Sequence, residues 1–560
     1  MTRRALYTFL WAAIVVALFV SIDFAMGRAL GTVVWVEGIG RKVAKYALEI
    51  FVAGLALALT RGNAYRALFL RLCFLLDLLW YGFALYYHAP LEPQHVLLGV
   101  HELDDVWTEL VAELPHFLPY FAFIAVAYAV AAVALQRLRP RTFHLRVAPL
   151  LLFAVVLTEP ALIYASNLDV RYYPSPARPA LSNALRTLSI AALTAGERIV
   201  GGDPTLEFAK THAEPIGVEA GPLTVAVVMG ESISGFRMHI LGAERQTTPR
   251  IERWLDPSGP FRLIPRGGFS AATATRATMP LFLNTHWHPR DIALSYERPA
   301  NLFALAKRNG FQTYVYSVQR RHILMLGGLE LVDSIRTVDE RWPEYEQRRD
   351  DLLIDDLAGM PKGERRFVFL HQHVNHTPYR DHCPHAPETR VFTASGTGLD
   401  EQREAEYDNG LLCYDRNLAK IFEYFATQPG AVYVFVTADH NDLTGEFGKW
   451  GHMSIHVANA WVPMLLFTNR PDGPIAQAFR DTPLLTHFQL ARLVARALGF
   501  DVIDPNSRPD TFFVSSSGGF GRDGYLEVHA EPDPDTFEVV RRSGRDQVLE
   551  TSRVQMKLAR

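Results

Sequence analysis

The sequence predicts a protein in two parts: a bundle of five transmembrane helices, then an α/β domain built on a mainly parallel sheet. Three observations carry the prediction. Five long apolar segments lie before residue 167. Three apolar runs, Val225-Ala226-Val227-Val228, Phe367-Val368-Phe369-Leu370 and Val432-Tyr433-Val434-Phe435-Val436, each end in a cluster of metal-ligand side chains. Strand-like and helix-like segments alternate from Gly221 to about residue 515, the pattern of a sheet with helices on both faces.

At 560 residues the chain exceeds a single compact core, so two or more domains are expected. A formal charge of −3 with no long basic run removes nucleic acid from the expected partners. The cysteines are Cys73, Cys383 and Cys413, with no CxxC spacing, so thiolate zinc ligation is not expected. Cys73 lies in an apolar segment, and Cys383 and Cys413 are free to pair in an exported domain.

The apolar segments lie near residues 6–27, 43–60, 66–87, 116–135 and 147–166. A spanning helix needs about 20 mainly apolar residues. The second segment is the weakest, since it contains Glu49. Arg3 and Arg4 precede the first span, Arg61 and Arg66 lie between the second and third, and Arg137, Arg139, Arg141 and Arg146 crowd the loop between the fourth and fifth. With five spans all three groups fall on one side, which the positive-inside rule makes cytoplasmic. Everything after about residue 167 then lies outside. Arg3-Arg4 before an apolar run also fits a cleaved leader, but four further apolar segments favour a retained span. Residues 88–115 carry apolar residues at helical spacing, fitting a helix on the outer membrane surface or a plain connecting loop.

The domain boundaries expected are 1–167 for the membrane part, 168–220 for a proline- and tyrosine-containing connector with a helix near 180–198, 221–515 for the α/β domain, and 516–560 for a small strand-containing appendage. Further strands are expected at Thr313–Ser317 and Pro463–Phe467, and helices at Pro299–Asn309, Glu404–Thr427 and Thr486–Gly499.

Open α/β sheets bind ligands at the carboxyl ends of their strands. The three runs deliver Glu231-Ser232, His371-Gln372-His373-Val374-Asn375-His376 and Asp439-His440-Asn441-Asp442 to such a rim. A Gly/Trp-rich loop from Gly445 leads on to His452. Oxygen and nitrogen donors without thiolate suit zinc, with manganese also possible. Phe269-Ser270-Ala271-Ala272-Thr273-Ala274-Thr275-Arg276-Ala277-Thr278-Met279-Pro280 reads as a loop entering a helix, where backbone N–H groups hold an anion and a metal-activated threonine attacks phosphorus.

At these residues the sequence resembles the membrane-bound phosphoethanolamine transferases of bacterial envelopes, in the alkaline phosphatase and sulfatase superfamily. Gly230-Glu231-Ser232 with Thr247-Thr248-Pro249-Arg250, the Thr273-Ala274-Thr275 loop, His371-Gln372 with Asn375-His376, Tyr407-Asp408-Asn409 followed by Asp415, and Asp439-His440 with Gly445-Glu446 and His452 carry the resemblance in order. It implies an alkaline-phosphatase/sulfatase-like fold, with Glu231, Thr273, Asp439 and His440 as zinc ligands. It places His376 and His452, with His371 nearby, around the phosphate or a second zinc; His376 and His452 are expected to be catalytic, and His371, Asn375, Thr275 and Arg320 to bind the substrate. Thr273 is expected as nucleophile, because it stands seven residues before Pro280, the offset the resemblance implies.

The implied activity moves phosphoethanolamine from phosphatidylethanolamine to an envelope glycolipid or glycan, through a phospho-threonine. The implied setting is a monomeric, multi-pass protein of the inner membrane with its outer domain in the periplasm. A phosphoglycerol transferase or a metal-dependent hydrolase of the same superfamily is the first alternative, and a catalytically inactive membrane-anchored binding protein the second. Two departures stand out: Asn441 replaces the glycine that the family has after Asp-His, and the stretch Ser317-Val318-Gln319-Arg320-Arg321-His322 replaces one rich in Asp, Asn and Lys.

Overall fold

The computed structural model describes residues 2–29, 51–93 (except 53, 61 and 62), 95–96, 99, 103–138, 158, 160–165, 180–200, and 206–558 apart from 362–363, 382, 397, 453–454, 518–519, 522 and 545. The chain divides into two compact units, Met1–Gly202 and Asp203–Arg560.

In the first unit the helices are α1 (Arg3–Ala29), α2 (Asn63–Tyr87), α3 (Leu103–Leu138) and α4 (Ala180–Val200). Among the described residues three helices are long and apolar enough to cross a membrane: Arg3–Gly27, Ala64–Tyr87 and Leu110–Leu138. The expected spans at 43–60 and 147–166 fall partly outside the described residues, whose helical pieces there cover 51–52, 54–59, 158 and 160–165. The separate surface helix or loop expected at 88–115 is corrected in its second half, where α3 runs unbroken through Pro115 and Pro119. Polar side chains tie the spans together, as expected where lipid offers no competing partner. Trp11 Nε1 on α1 donates to the Leu135 carbonyl on α3 at 3.1 Å. The Tyr128 hydroxyl donates to Asp77 Oδ2 at 2.7 Å, and that of Tyr81 to Asp23.

The second unit is organised by β1 (Leu223–Gly230), β2 (Arg262–Phe269), β3 (Gln312–Ser317), β4 (Ser334–Arg336), β5 (Arg365–His371), β6 (Ala431–Ala438) and β7 (Trp461–Thr468). They form one sheet in the order β2-β7-β6-β1-β5-β3-β4. It is a mixed sheet: β1 pairs in parallel with β5 and β6, and β3 with β5 and β4, while β7 is antiparallel to both β6 and β2. Every residue of β1, β6 and β7 is buried. Alternate side chains point to opposite faces, so both faces are covered, and a Val227 fully buried here contributes about 1.5–3 kcal/mol.

Strand β2 gives no clear strand signal, because Arg262-Leu-Ile-Pro-Arg-Gly-Gly-Phe contains a proline and two glycines. It lies at the sheet edge, where a missing ladder donor is tolerated. Its glycines admit the neighbouring strand: a Cβ at Gly267 would lie 2.2 Å from the Trp461 ring.

Helices α5 (Thr275–Leu283), α6 (Leu399–Ala426) and α7 (His487–Ala497) flank the sheet. Thr486 caps α7 by accepting from the Gln489 N–H at 3.3 Å. Cys383 and Cys413 form a disulfide that fixes a loop to α6, and closing a loop of this length stabilises by about 2–4 kcal/mol. At the C-terminal end β8 (Thr511–Ser515), β9 (Tyr525–Ala530), β10 (Thr536–Arg542) and β11 (Val548–Gln555) form an antiparallel sheet. Its first strand supports the loop before α5: the Thr273 N–H donates to the Ser515 carbonyl at 3.0 Å and the Ser515 N–H to that of Ala271 at 2.8 Å.

His286, just past α5, gives an acid-sensitivity prediction. Burial depresses its pKa from 6.5 to about 3, with the His288 backbone raising it slightly. The unfolded chain takes up this proton below about pH 6.5 while the folded one does not, so stability is lost as pH falls through that window. At pH 5 the cost is about 2 kcal/mol. Denaturant titrations of the purified full chain at pH 7 and pH 5 measure it, and His286→Gln should lose less stability between the two.

Candidate metal centre and active site

Strand β1 ends at Gly230 and delivers Glu231, which is 1% exposed. Ser232 follows in the left-handed region at φ 57°. That strained turn points its N–H at Asp439 Oδ1, 2.9 Å away, while its hydroxyl donates to Glu231 Oε1 at 2.9 Å. The neighbouring strand β6 delivers Asp439, whose N–H donates to the Gly230 carbonyl, and then His440. Parallel register alone therefore sets Glu231 beside Asp439 and His440.

His440 Nε2 lies 3.4 Å from Glu231 Oε1 and 3.3 Å from Asp439 Oδ2. Ligand atoms of all three lie within 4.8 Å of one another, and all three residues are buried. A second group, His440, Asp442 and His452, shares the imidazole. His452 Nδ1 is 2.6 Å from Asp442 Oδ1, and the Tyr379 hydroxyl donates to Asp442 Oδ2 at 2.8 Å.

The electrostatics fit a cation. Burial and the facing Glu231 push the Asp439 carboxyl well above its ordinary pKa. Burial also raises Glu231, but His440 outweighs it and holds that carboxyl ionised. Asp439 Oδ2 and His440 Nδ1 are buried without a hydrogen-bond partner. Two carboxylates and an imidazole, crowded and incompletely bonded, form the donor set that zinc takes. Asp442 keeps its charge beside them: burial raises its pKa, and His452, His440 and Tyr379 together bring it below the ordinary value.

The hydroxyl that reaches this cluster belongs to Thr275, whose Oγ1 donates to Glu231 Oε2 at 3.2 Å. Thr275 is the first residue of α5, after Ala274 in extended conformation. The expected ligand Thr273 sits two residues earlier, buried, and its hydroxyl is not bonded to Glu231, Asp439 or His440. The reason is the strand-like bridge Ala272↔Ser515, which fixes Thr273 by its backbone before the helix begins. Thr278 braces the site from behind, donating to the Asp439 carbonyl at 2.8 Å.

The remaining expected residues fall into two groups. His371 lies behind Glu231, linked by Gln319: Gln319 Nε2 is 3.0 Å from His371 Nε2 and donates to Glu231 Oε2 at 2.6 Å. Burial holds His371 neutral, with its pKa lowered to about 4. His376 stacks near His373, ring centroids 4.8 Å apart, and its Nδ1 meets the Thr377 carbonyl at 2.7 Å. Asn375, at φ 73°, is buried with its side chain against Gly410 of α6. Arg320 is exposed, its guanidinium 5.4 Å from the Trp342 ring. Gln319 and Asp442 are functional candidates that the sequence reading passed over; both lie within the strand-end stretches it had marked.

The other motif residues hold the frame. Thr247 accepts from the His239 N–H and Thr248 from that of Ile240. Asp408 receives Arg237 and Arg245, and Asp415 receives the N–H groups of Arg250 and Ile251.

Comparison with known proteins agrees with this layout. The Sulfatase family model matches residues 224–499. The Kdo(2)-lipid A phosphoethanolamine 7''-transferase of Salmonella typhimurium is 26% identical over 235 residues, covering 40% of this chain and 39% of its own. The Escherichia coli protein of that name is 25% identical over 280 residues, 47% of each. The chain thus spans less than half the length of these curated relatives. The integral membrane protein lipooligosaccharide phosphoethanolamine transferase A of Neisseria meningitidis shares the fold at a TM-score of 0.55 and 16% identity, over 90% of this chain and 96% of that one.

Proposed function

We propose, from the premise that residues 224–499 are a sulfatase-family domain in a chain resembling the membrane-bound phosphoethanolamine transferases, that this protein transfers phosphoethanolamine from a membrane phospholipid to a lipid A-type acceptor. The observation that carries the reading is the Thr275 hydroxyl, 3.2 Å from Glu231 in the cluster with Asp439 and His440. Thr275 takes the role expected of Thr273. Its Oγ attacks the donor phosphorus, and the bond from phosphorus to the diacylglycerol oxygen breaks, that oxygen taking a proton. An acceptor oxygen then attacks the phospho-threonine, the Oγ–P bond breaks, and Thr275 recovers its proton.

Glu231, Asp439 and His440 would hold zinc, which when bound lowers the hydroxyl pKa and stabilises phosphoryl charge. The backbone N–H groups opening α5 face the transferring phosphate. His452, held by Asp442, would exchange the proton of the leaving or entering oxygen. Tandem mass spectrometry of the full chain incubated with donor and no acceptor tests the assignment. The phosphoethanolamine adduct is expected on Thr275; an adduct on Thr273 overturns it.

A second reading, phosphoglycerol transfer, is favoured by one observation. The rim beside Thr275 is cationic, with Arg276 Nη2 3.0 Å from His322 Nε2. Labelled phosphatidylglycerol consumed faster than labelled phosphatidylethanolamine would select it.

The arginine distribution supports an N-terminus on the cytoplasmic side of the membrane, with the second unit outside. A reporter active only in the periplasm, fused after residue 220, should be active; signal from a cytoplasmic reporter at the same point would reject this topology.

A further inference from the structure

A cavity of about 700 Å³ opens among the three spanning helices of the first unit, at the end where α1 and α2 begin and α3 finishes. Trp11 of α1, Arg66, Arg71 and Phe74 of α2, and Ala129 and Gln136 of α3 line it. Among the described residues that line it two are arginines and none is acidic. The rest of its wall is almost wholly apolar.

The floor is built. Arg66 is 5% exposed, and its Nε donates to the Leu57 carbonyl at 3.0 Å while Nη2 donates to that of Ala58. Its guanidinium lies 5.4 Å from the Trp11 ring, and Trp11 is itself pinned to Leu135 of α3. Arg71 is a different case. It is exposed and lies within the membrane span, seven residues beyond Ala64, or about 10 Å along the helix. A guanidinium at that depth is expected to face a polar partner or a site.

We propose that this cavity binds an anionic glycerophospholipid, its phosphate received by Arg66 and Arg71 and its acyl chains lying along the apolar wall. Charge selects the class. Among the described lining residues an acidic lipid meets two guanidiniums and no carboxylate, and the same guanidiniums would repel the ammonium of a zwitterionic ethanolamine lipid. The site belongs to the first unit alone and is separate in sequence from the threonine and the metal ligands, so its test uses no transfer activity.

Native mass spectrometry of the purified full chain, with dioleoyl-phosphatidylglycerol or dioleoyl-phosphatidylethanolamine added in detergent, reads the site directly. Phosphatidylglycerol should remain bound at collision energies that strip phosphatidylethanolamine. Arg71→Leu should weaken phosphatidylglycerol binding by about fivefold or more while leaving phosphatidylethanolamine unchanged, and Arg71→Lys should retain most of it. Ala132→Trp, which fills the cavity from the α3 side, should abolish retention. Arg71 is exposed, so its variants should fold even if Ala132→Trp does not. Equal retention of the two lipids, or undiminished phosphatidylglycerol binding by Arg71→Leu, overturns the proposal.

Discussion

Thr275→Ala should abolish transfer, lowering kcat by about 10⁴-fold or more, as removal of a covalent nucleophile does. The fold should survive. Thr275 is only partly buried, and Glu231 Oε2 still accepts from Gln319 when the threonine hydroxyl is gone. The stability cost is about 1 kcal/mol, the net worth of one hydrogen bond. Thr273→Ala should behave differently. Its link to the frame is the backbone N–H to the Ser515 carbonyl, which alanine keeps, so turnover should stay within about tenfold of wild type, the scale of a small displacement near the site. Thr275→Ser keeps an Oγ at the same place and should retain partial activity. Steady-state transfer of a labelled head group to purified lipid A reads all three. An inactive Thr273→Ala beside an active Thr275→Ala would return the nucleophile to the earlier threonine.

The proposed move from Thr273 to Thr275 marks where the sequence was legible and where it was not. Strands β1, β5 and β6 each carry a buried apolar run, and their polar ends are unmistakable, so the ligand-bearing rim could be located from the chain alone. What joins two of its three ligands at atomic distance is register: Gly230 pairs with Ala438, setting Glu231 beside Asp439. The loop from Ser270 to Thr278 has no such anchor in its composition. It contains three threonines of similar chemistry, and the choice among them depends on where α5 starts. That start is set by the bridge between Ala272 and Ser515, a contact 243 positions apart that no local pattern encodes. The edge strand β2 was hidden for a related reason: Pro265, Gly267 and Gly268 read as breakers until Trp461 is seen filling the space they leave. Asn375 faces Gly410 and Arg320 lies beside Trp342, directions that residue type alone does not encode.

Asp439→Asn should separate metal binding from folding. The substitution is isosteric, and the amide oxygen can still accept from the Ser232 N–H, now at 2.9 Å from Oδ1, and from the His440 N–H at 2.8 Å. What it removes is the charge. In the protein without cation that charge is a burden, because burial and Glu231 both oppose ionisation of Asp439. The variant should therefore be at least as stable as wild type when both are stripped with chelator. With zinc the order reverses. A metal held at 100 times its dissociation constant stabilises the folded wild type by about 2.7 kcal/mol, and the variant, with one carboxylate fewer facing the cation, should gain little of this. The expected pattern is a melting temperature that falls on chelation in wild type and hardly moves in Asp439→Asn, with zinc per chain falling in parallel and transfer lost. Thermal melts with and without chelator, beside elemental analysis of the full chain, measure it. A variant that keeps its zinc and its turnover would make the Asp-His pair a structural motif. A wild type whose melting ignores the chelator would remove the metal from this cluster altogether.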